Sequence, residues 1–194
     1  MEYPGRDLRA SGNEIIQRAV VDDWTGALEK AYEHLASVRA ELEQANATVT
    51  LLEHWAQNME VNADEEPLAI GEVSILLGVS FVVIRKWERN GLIIVPRNSY
   101  NRYRRFGKKE IERRRIIRML SRTGYSHMAI LRMFIELDGG NTSDLKKVLD
   151  APREDEDIFT AADHWLTTLC GQERLAHQVI RLIEEQIAKR DVSP

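Results

Sequence analysis

The chain has a single cysteine, Cys170, among 194 residues. No intrachain disulfide can form, and no multi-cysteine metal or iron–sulfur site can be built within one chain. The lone thiol is expected to be a small buried hydrophobe. Cys170 and His177 lie seven residues apart on a predicted helix, about 10 Å along its axis and too far to share a metal. His34, His54, His127 and His164 show no ligand spacing. Neither a metal nor a cofactor is therefore expected. Proline (5) and glycine (11) are scarce while charged residues make up 30%, a mix that favours long surface helices over a loop-rich β fold. No apolar run approaches the roughly 18 residues needed to cross a bilayer. Met1 to Ala10 is polar and lacks the apolar stretch of a signal peptide. The expectation is a soluble, cytoplasmic protein with no membrane partner. No phosphate-cradling glycine loop, nucleophile elbow or paired carboxylate marks an enzyme.

What is present is a strong separation of charge. Residues 81–122 carry 14 Lys/Arg against 3 Asp/Glu, a local net charge of +11, while the remainder of the chain sums to −15. The overall −4 hides this contrast. A concentrated cationic patch on an otherwise acidic protein is the electrostatic footprint of a nucleic-acid surface, because Lys and Arg neutralise phosphates and release condensed counterions.

Three parts follow along the chain. Residues 1–66 read as an N-terminal helical extension and linker, 67–139 as a compact unit, and 140–194 as a linker and C-terminal helical region. Residues 1–21 look like a frayed tail with a short amphipathic piece around Ile15, Ile16 and Val20. From about Asp22 to Glu60 two heptad series interleave. Leu28, Leu35, Leu42, Val49 and Ala56 form one; Trp24, Ala31, Val38, Ala45, Leu52 and Met59 form the other. This is a coiled-coil seam, to be covered by the same helix of another subunit or by a second helix of this chain. Asn62 to Pro67 breaks the helix. Gly139 to Thr142 ends the compact unit. A short helix over Asp144–Leu149, capped by Thr142 or Ser143, precedes an acidic hinge at Ala151 to Asp157. The last helix, Ile158 to about Lys189, has an apolar stripe through Trp165, Leu169, Ala176, Val179 and Ile183, with Gly171 able to kink it.

Within the compact unit, Ile70–Leu77 reads as a short helix, Gly78-Val79-Ser80 as a tight turn, and Phe81 to Asn90 as a second helix capped by Ser80. Gly91 stops that helix in a left-handed conformation. Two short helices joined by a glycine-containing turn are a helix-turn-helix, whose second helix lies in the major groove. Leu92–Val95 and Tyr100–Phe106, separated by turn residues Pro96 to Ser99, predict a two-stranded wing. The wing carries Arg97, Arg102, Arg104 and Arg105. Lys108–Ser121 predicts a helix, and Ser126 caps another that runs to Leu137.

The pieces Ile70-Gly71-Glu72-Val73, Leu77-Gly78-Val79-Ser80, Ile84-Arg85-Lys86-Trp87-Glu88-Arg89-Asn90-Gly91-Leu92-Ile93, Pro96-Arg97, Tyr103-Arg104-Arg105-Phe106, Ile116-Ile117-Arg118 and Gly124-Tyr125-Ser126 together resemble the MerR family of transcriptional regulators. The resemblance covers about Leu68–Leu137. With the heptad seam it predicts a mainly α fold: a winged helix-turn-helix domain and a C-terminal dimerisation helix, which the resemblance implies, and an N-terminal coiled-coil helix, which the heptads add. The resemblance also implies a homodimer on double-stranded promoter DNA. The added N-terminal coiled coil is expected either to mediate assembly, by reinforcing the dimer, engaging RNA polymerase or another protein partner, or packing on the C-terminal helix, or to be a helical decoration on the dimer core. The candidate DNA-contacting residues are Ser80, Val82, Arg85, Lys86, Arg89, Arg97, Arg102, Tyr103, Arg104 and Arg105. The candidate dimerisation residues are Trp165, Leu169, Ala176, Val179 and Ile183.

Arg85 suits a guanine edge or a phosphate, Lys86 a phosphate, and Arg104 the phosphate role of the family's wing arginine. Trp87 is read as core, Glu88 as an ion pair or cap for a neighbouring arginine, and Tyr103 and Phe106 as packing the wing on the domain. Three departures stand out. Phe81-Val82-Val83 replaces small, basic or hydroxyl residues, and is set either to touch thymine methyls or to be buried against the protein. Lys86 replaces an aromatic. Arg114 stands where a core leucine is typical. The N-terminal coiled coil is not usual in the family. A DNA-binding architectural protein of the chromosome-anchoring or phage-excision type, built on the same winged fold, is the alternative function.

Overall fold

A computed structural model describes residues 5–57, 66–151 and 161–191. The predicted linker at 62–67 and the acidic hinge at 151–157 fall largely outside those residues, as does Met59. The protein is mainly helical, as expected. Helix α2 (Trp24–Gln57) spans 34 residues, about 50 Å, and is the longest of the described helices.

Nearly every described position of the predicted heptad seam turns inward. Ala31, Leu35, Val38, Ala45, Val49, Leu52 and Ala56 are buried, and Trp24, Leu28 and Leu42 are partly buried. The cover comes from this chain. Helix α8 (Trp165–Asp191) runs antiparallel along α2. Arg39 Nε donates to Glu173 Oε1 at 2.8 Å, Tyr32 Oη donates to Glu184 Oε1 at 2.9 Å, and Asp22 pairs with Arg190. The alanines of α2 let the helices approach closely, so Ala27 and Ala31 pack with Ala176, Ile180 and Ile183. Gly171 produces no break: α8 is continuous through it.

Residues 5–20 correct the expectation of a frayed tail. They form helix α1 (Gly5–Val20), which packs on α2 through Leu8 and Ile15. An isolated helix of this length is marginal in water; tertiary cover holds it. Asp23 begins the return. Its carboxylate accepts the Gly26 N–H at 2.9 Å and pairs with Arg18 at 2.7 Å. Cys170 is likewise corrected, because it stands exposed on α8 rather than buried.

The other end of α2 is roofed by α5 (Lys108–Thr123) and α7 (Leu145–Asp150), against which α6 (His127–Asp138) packs. Thr48 and Thr123 share a buried hydroxyl hydrogen bond of 3.0 Å between α2 and α5. Buried Arg132 donates to the Asp163 carbonyl at 3.0 Å, fastening α6 to the single 3-10 turn (Ala161–His164) that leads into α8. Ser126 caps α6 as expected, accepting the Ala129 N–H at 3.0 Å. The cap of α7 differs from expectation. Asp144 takes that place at φ 58° with no side-chain cap bond, because the Ser143 hydroxyl is bound to Asn141 Oδ1 at 3.0 Å. One hydrophobic core runs without interruption from Val38–Ala56 of α2 through the compact unit to Trp165, Leu166 and Leu169.

Candidate nucleic-acid interface

Helices α3 (Ile70–Leu77) and α4 (Phe81–Arg89) meet at the predicted turn. Gly78 sits at φ 57°, a conformation that a side chain disfavours, and its N–H closes the α3 end onto the Ile75 carbonyl at 3.2 Å. The Ser74 hydroxyl donates to the Val79 carbonyl at 2.7 Å and stiffens the turn. Ser80 caps α4 by accepting the Val83 N–H at 3.4 Å. Gly91, at φ 75°, follows its end.

The period of α4 divides it sharply. Ile84 and Trp87 are buried against Val73, Leu77, Leu92 and Ile93, which places Trp87 in the core as expected. Phe81, Val82, Arg85, Lys86 and Arg89 are exposed, and their spacing of i, i+1, i+4, i+5 and i+8 puts them on one face. The guanidinium of Arg85 lies 5.5 Å from the ring centre of Phe81. Val83 is partly buried against the core. The three-residue apolar start of α4 is thus split, with Phe81 and Val82 left facing outward.

The wing differs from the predicted pair of strands. Among the described residues its ladder is reduced to an isolated bridge between Arg97 and Arg104 and another between Leu68 and Phe106. Backbone bonds from Asn98 N to the Tyr103 carbonyl at 2.8 Å and from Arg105 N to the Pro96 carbonyl at 3.0 Å flank the first bridge, and side chains add to them at the tip. Asn98 Oδ1 accepts from Tyr100 N at 2.9 Å and Asn101 N at 3.2 Å, while Asn101 Oδ1 accepts from Tyr103 N at 3.1 Å. These local bonds compete with a ladder, and Pro96 has no N–H to give one. Arg97, Arg102, Tyr103 and Arg105 are exposed along the ribbon. Phe106 is buried as expected, but Tyr103 is 72% exposed and does not pack the wing onto the domain. Arg104 is half-buried, and its Nε donates to Glu88 Oε2 at 2.9 Å. Of the two expected roles, ion pair or cap, Glu88 takes the ion pair. Val82, Arg85, Glu88, Arg89 and Arg104 surround an open concavity of about 420 Å³ between helix and wing.

Not all fourteen cations of residues 81–122 face outward. Arg113 donates to the Leu92 carbonyl at 2.8 Å, pairs with Asp138 at 2.7 Å and lies 3.9 Å from the ring centre of Phe134. Arg114 is buried with its guanidinium 3.6 Å from the ring centre of Phe106. Burial pushes its pKa down to about 10, opposed by Glu110 and Glu88. Arg115, Arg118 and Arg122, which are not among the candidate contact residues, line a cleft of about 300 Å³ beside Leu77 and Thr48. Their spacing of three and four on α5 was the available signal.

The candidate dimerisation residues lie inside the chain. Trp165 and Leu169 belong to the main core; Ala176 and Ile183 are buried in the α1–α2–α8 cluster, and Val179 packs at its edge. Beside them Ile16, Val20 and Leu182 remain exposed and line an apolar groove of about 550 Å³ between α1 and α8.

Residues 68–136 match the family described as MerR HTH family regulatory protein. A mercuric resistance operon regulatory protein of Pseudomonas fluorescens is 28% identical over 90 residues, covering 46% of this chain and 62% of that protein. One from Serratia marcescens is 33% identical over 75 residues, covering 39% of this chain and 51% of its own length. The chain thus spans between about half and three fifths of these curated relatives. No solved structure gives a significant match. The turn at Gly78, the outward face of α4 and the arginine-bearing wing all fall within the matched segment, and over residues 68–136 the chain is similar to the MerR helix-turn-helix regulators.

Proposed function

We propose that the protein is a sequence-specific DNA-binding transcriptional regulator that acts as a dimer at promoter DNA. The observation that carries this reading is the outward face of α4 (Phe81, Val82, Arg85, Lys86 and Arg89) standing beside a wing that exposes Arg97, Arg102 and Arg105. A helix of this exposure fits the major groove, and cations on both elements fit the flanking phosphates. Within the wider candidate set, Ser80 contributes its place at the α4 N-terminus, and Tyr103 and Arg104 contribute from the wing. A second copy is suited to the exposed apolar groove of α1 and α8, since the stripe of Trp165, Leu169, Ala176, Val179 and Ile183 already packs within the chain. The same helical unit offers a surface to RNA polymerase or another protein partner.

The intrachain cover of α8 also favours a second reading, in which one chain binds alone and serves as an architectural protein. Selection of bound DNA from a random library separates the two. A dimeric regulator yields paired half-sites at fixed spacing and a steep fall in affinity with salt. An architectural protein yields many weakly preferred sites. No salt-dependent binding to any duplex would overturn both.

A further inference from the structure

The apolar start of α4 is out of place on a surface built for phosphates, and it is not covered. Phe81 is 52% exposed and Val82 59% exposed. Both lie on the face that carries Arg85, Lys86 and Arg89, opposite buried Ile84 and Trp87. Val82 borders the concavity that Arg85, Arg89 and Arg104 also line. Ser80 fixes the first turn of the helix, so the pair stands at the N-terminal end, which a recognition helix directs toward base edges.

We infer that Phe81 and Val82 read thymine methyl groups in the major groove. This rests on the proposal that α4 enters duplex DNA. Of the groups that bases present there, the thymine C5-methyl is the apolar one, and an apolar side chain gains by excluding water from it. A phosphate or a base polar edge would gain nothing from either side chain. The neighbouring cation completes the reading. The Arg85 guanidinium rests over the Phe81 ring at 5.5 Å, which limits its rotamers and aims it along the same groove. Arg85 lies one helical turn beyond Phe81, about 6 Å along the axis. The preferred half-site therefore places thymine within about two base pairs of the guanine that Arg85 contacts.

The test replaces thymine by deoxyuridine, one position at a time, in a site selected by the full-length protein. This removes only the methyl. One or two positions per half-site should weaken binding roughly three- to fivefold each, and the other thymines should be silent. Val82→Ala and Phe81→Ala, both at exposed positions, should bind the thymine site more weakly and lose that sensitivity, while Lys86→Ala should keep it. Unchanged melting temperatures show that the variants are folded. Binding that ignores every methyl, or methyl sensitivity that survives in both variants, overturns this inference and leaves the regulator reading intact. Failure to bind any duplex at low ionic strength, or to select any preferred site, overturns both.

Discussion

The Nε of Arg104, on the wing, donates to Oε2 of Glu88, on α4, at 2.9 Å. The pair is about one quarter exposed on each side, and it joins two elements that the helix-turn-helix alone would leave independent. It orients Arg104 and places a negative charge close to where phosphates would lie. Arg104→Ala should therefore weaken binding roughly evenly across DNA sequences, and should lower the slope of log affinity against log salt by about 1. Glu88→Gln keeps an acceptor for Nε but removes the charge. Its expected effect is tighter non-specific binding with poorer discrimination. Fluorescence anisotropy over a salt series, with selected and random duplexes, measures both.

Arg114 is a buried cation with no hydrogen-bond partner at any guanidinium nitrogen. Its stacking on Phe106 offsets only part of the desolvation cost. Arg114→Met keeps the volume and removes the charge, and should raise stability by about 1 kcal/mol. Arg114→Ala opens a cavity and should lower it by about 2–3 kcal/mol. Urea midpoints of the two variants should move in opposite directions.

Gly124 is the close-packed joint between α5 and α8. It sits at φ 114°, and a Cβ there would come within 2.6 Å of the Trp165 ring. Both backbone conformation and space exclude a methyl. Gly124→Ala should destabilise the protein by about 2–4 kcal/mol, which a thermal melt will detect. Trp165→Phe should not rescue Gly124→Ala fully, because the backbone strain remains.

Acidification should destabilise the fold near neutrality. Burial holds the His34 imidazole below its usual range, and burial together with Lys86 does the same for His127. A depressed histidine is neutral in the folded state, so its stability contribution is complete above the unfolded value of 6.5 and is lost as pH falls through the lower folded value. Melting temperature should begin to fall below about pH 6.5, and the fall should be shallower in His34→Gln and His127→Gln. The carboxylates of Asp22 and Asp23 are held below their usual 3.8 by hydrogen bonds from Arg190 and Arg18. Their contribution is present above that value and disappears only in stronger acid, which keeps the two windows apart.

Helix α2 shares one core with the helix-turn-helix unit. Leu52 is fully buried there, so Leu52→Ala should cost about 2–4 kcal/mol and lower the temperature at which DNA binding is lost. Removing residues 1–57 should expose Leu120, Leu169 and their neighbours and abolish cooperative unfolding. Calorimetry and dye binding would report this. A truncated protein that melts cooperatively would show that the N-terminal part is separable after all.

Much of the site was legible because its signals are local. Ser80 three residues before the N–H it caps, Gly78 at a turn, and apolar Ile84 and Trp87 alternating with Arg85 and Arg89 act within one or two helical turns. The heptads of α2 were legible for the same reason. The wing was less so. Its β-prone residues suggested strands, but Asn98 and Asn101 bind their own backbone, and that competition depends on conformation. The helix over 5–20 was not legible locally, because α1 depends on contact with α2.

By itself the sequence determined the helices, the turn between α3 and α4, and the concentration of positive charge, all consequences of neighbours along the chain. Only the tertiary structure decided that α2 and α8 cover each other, that Arg113 and Arg114 turn inward, and that Phe81 and Val82 stay in solvent. Burial is a property of what lies across space. A periodic stripe states that an apolar face needs cover without stating which distant segment supplies it.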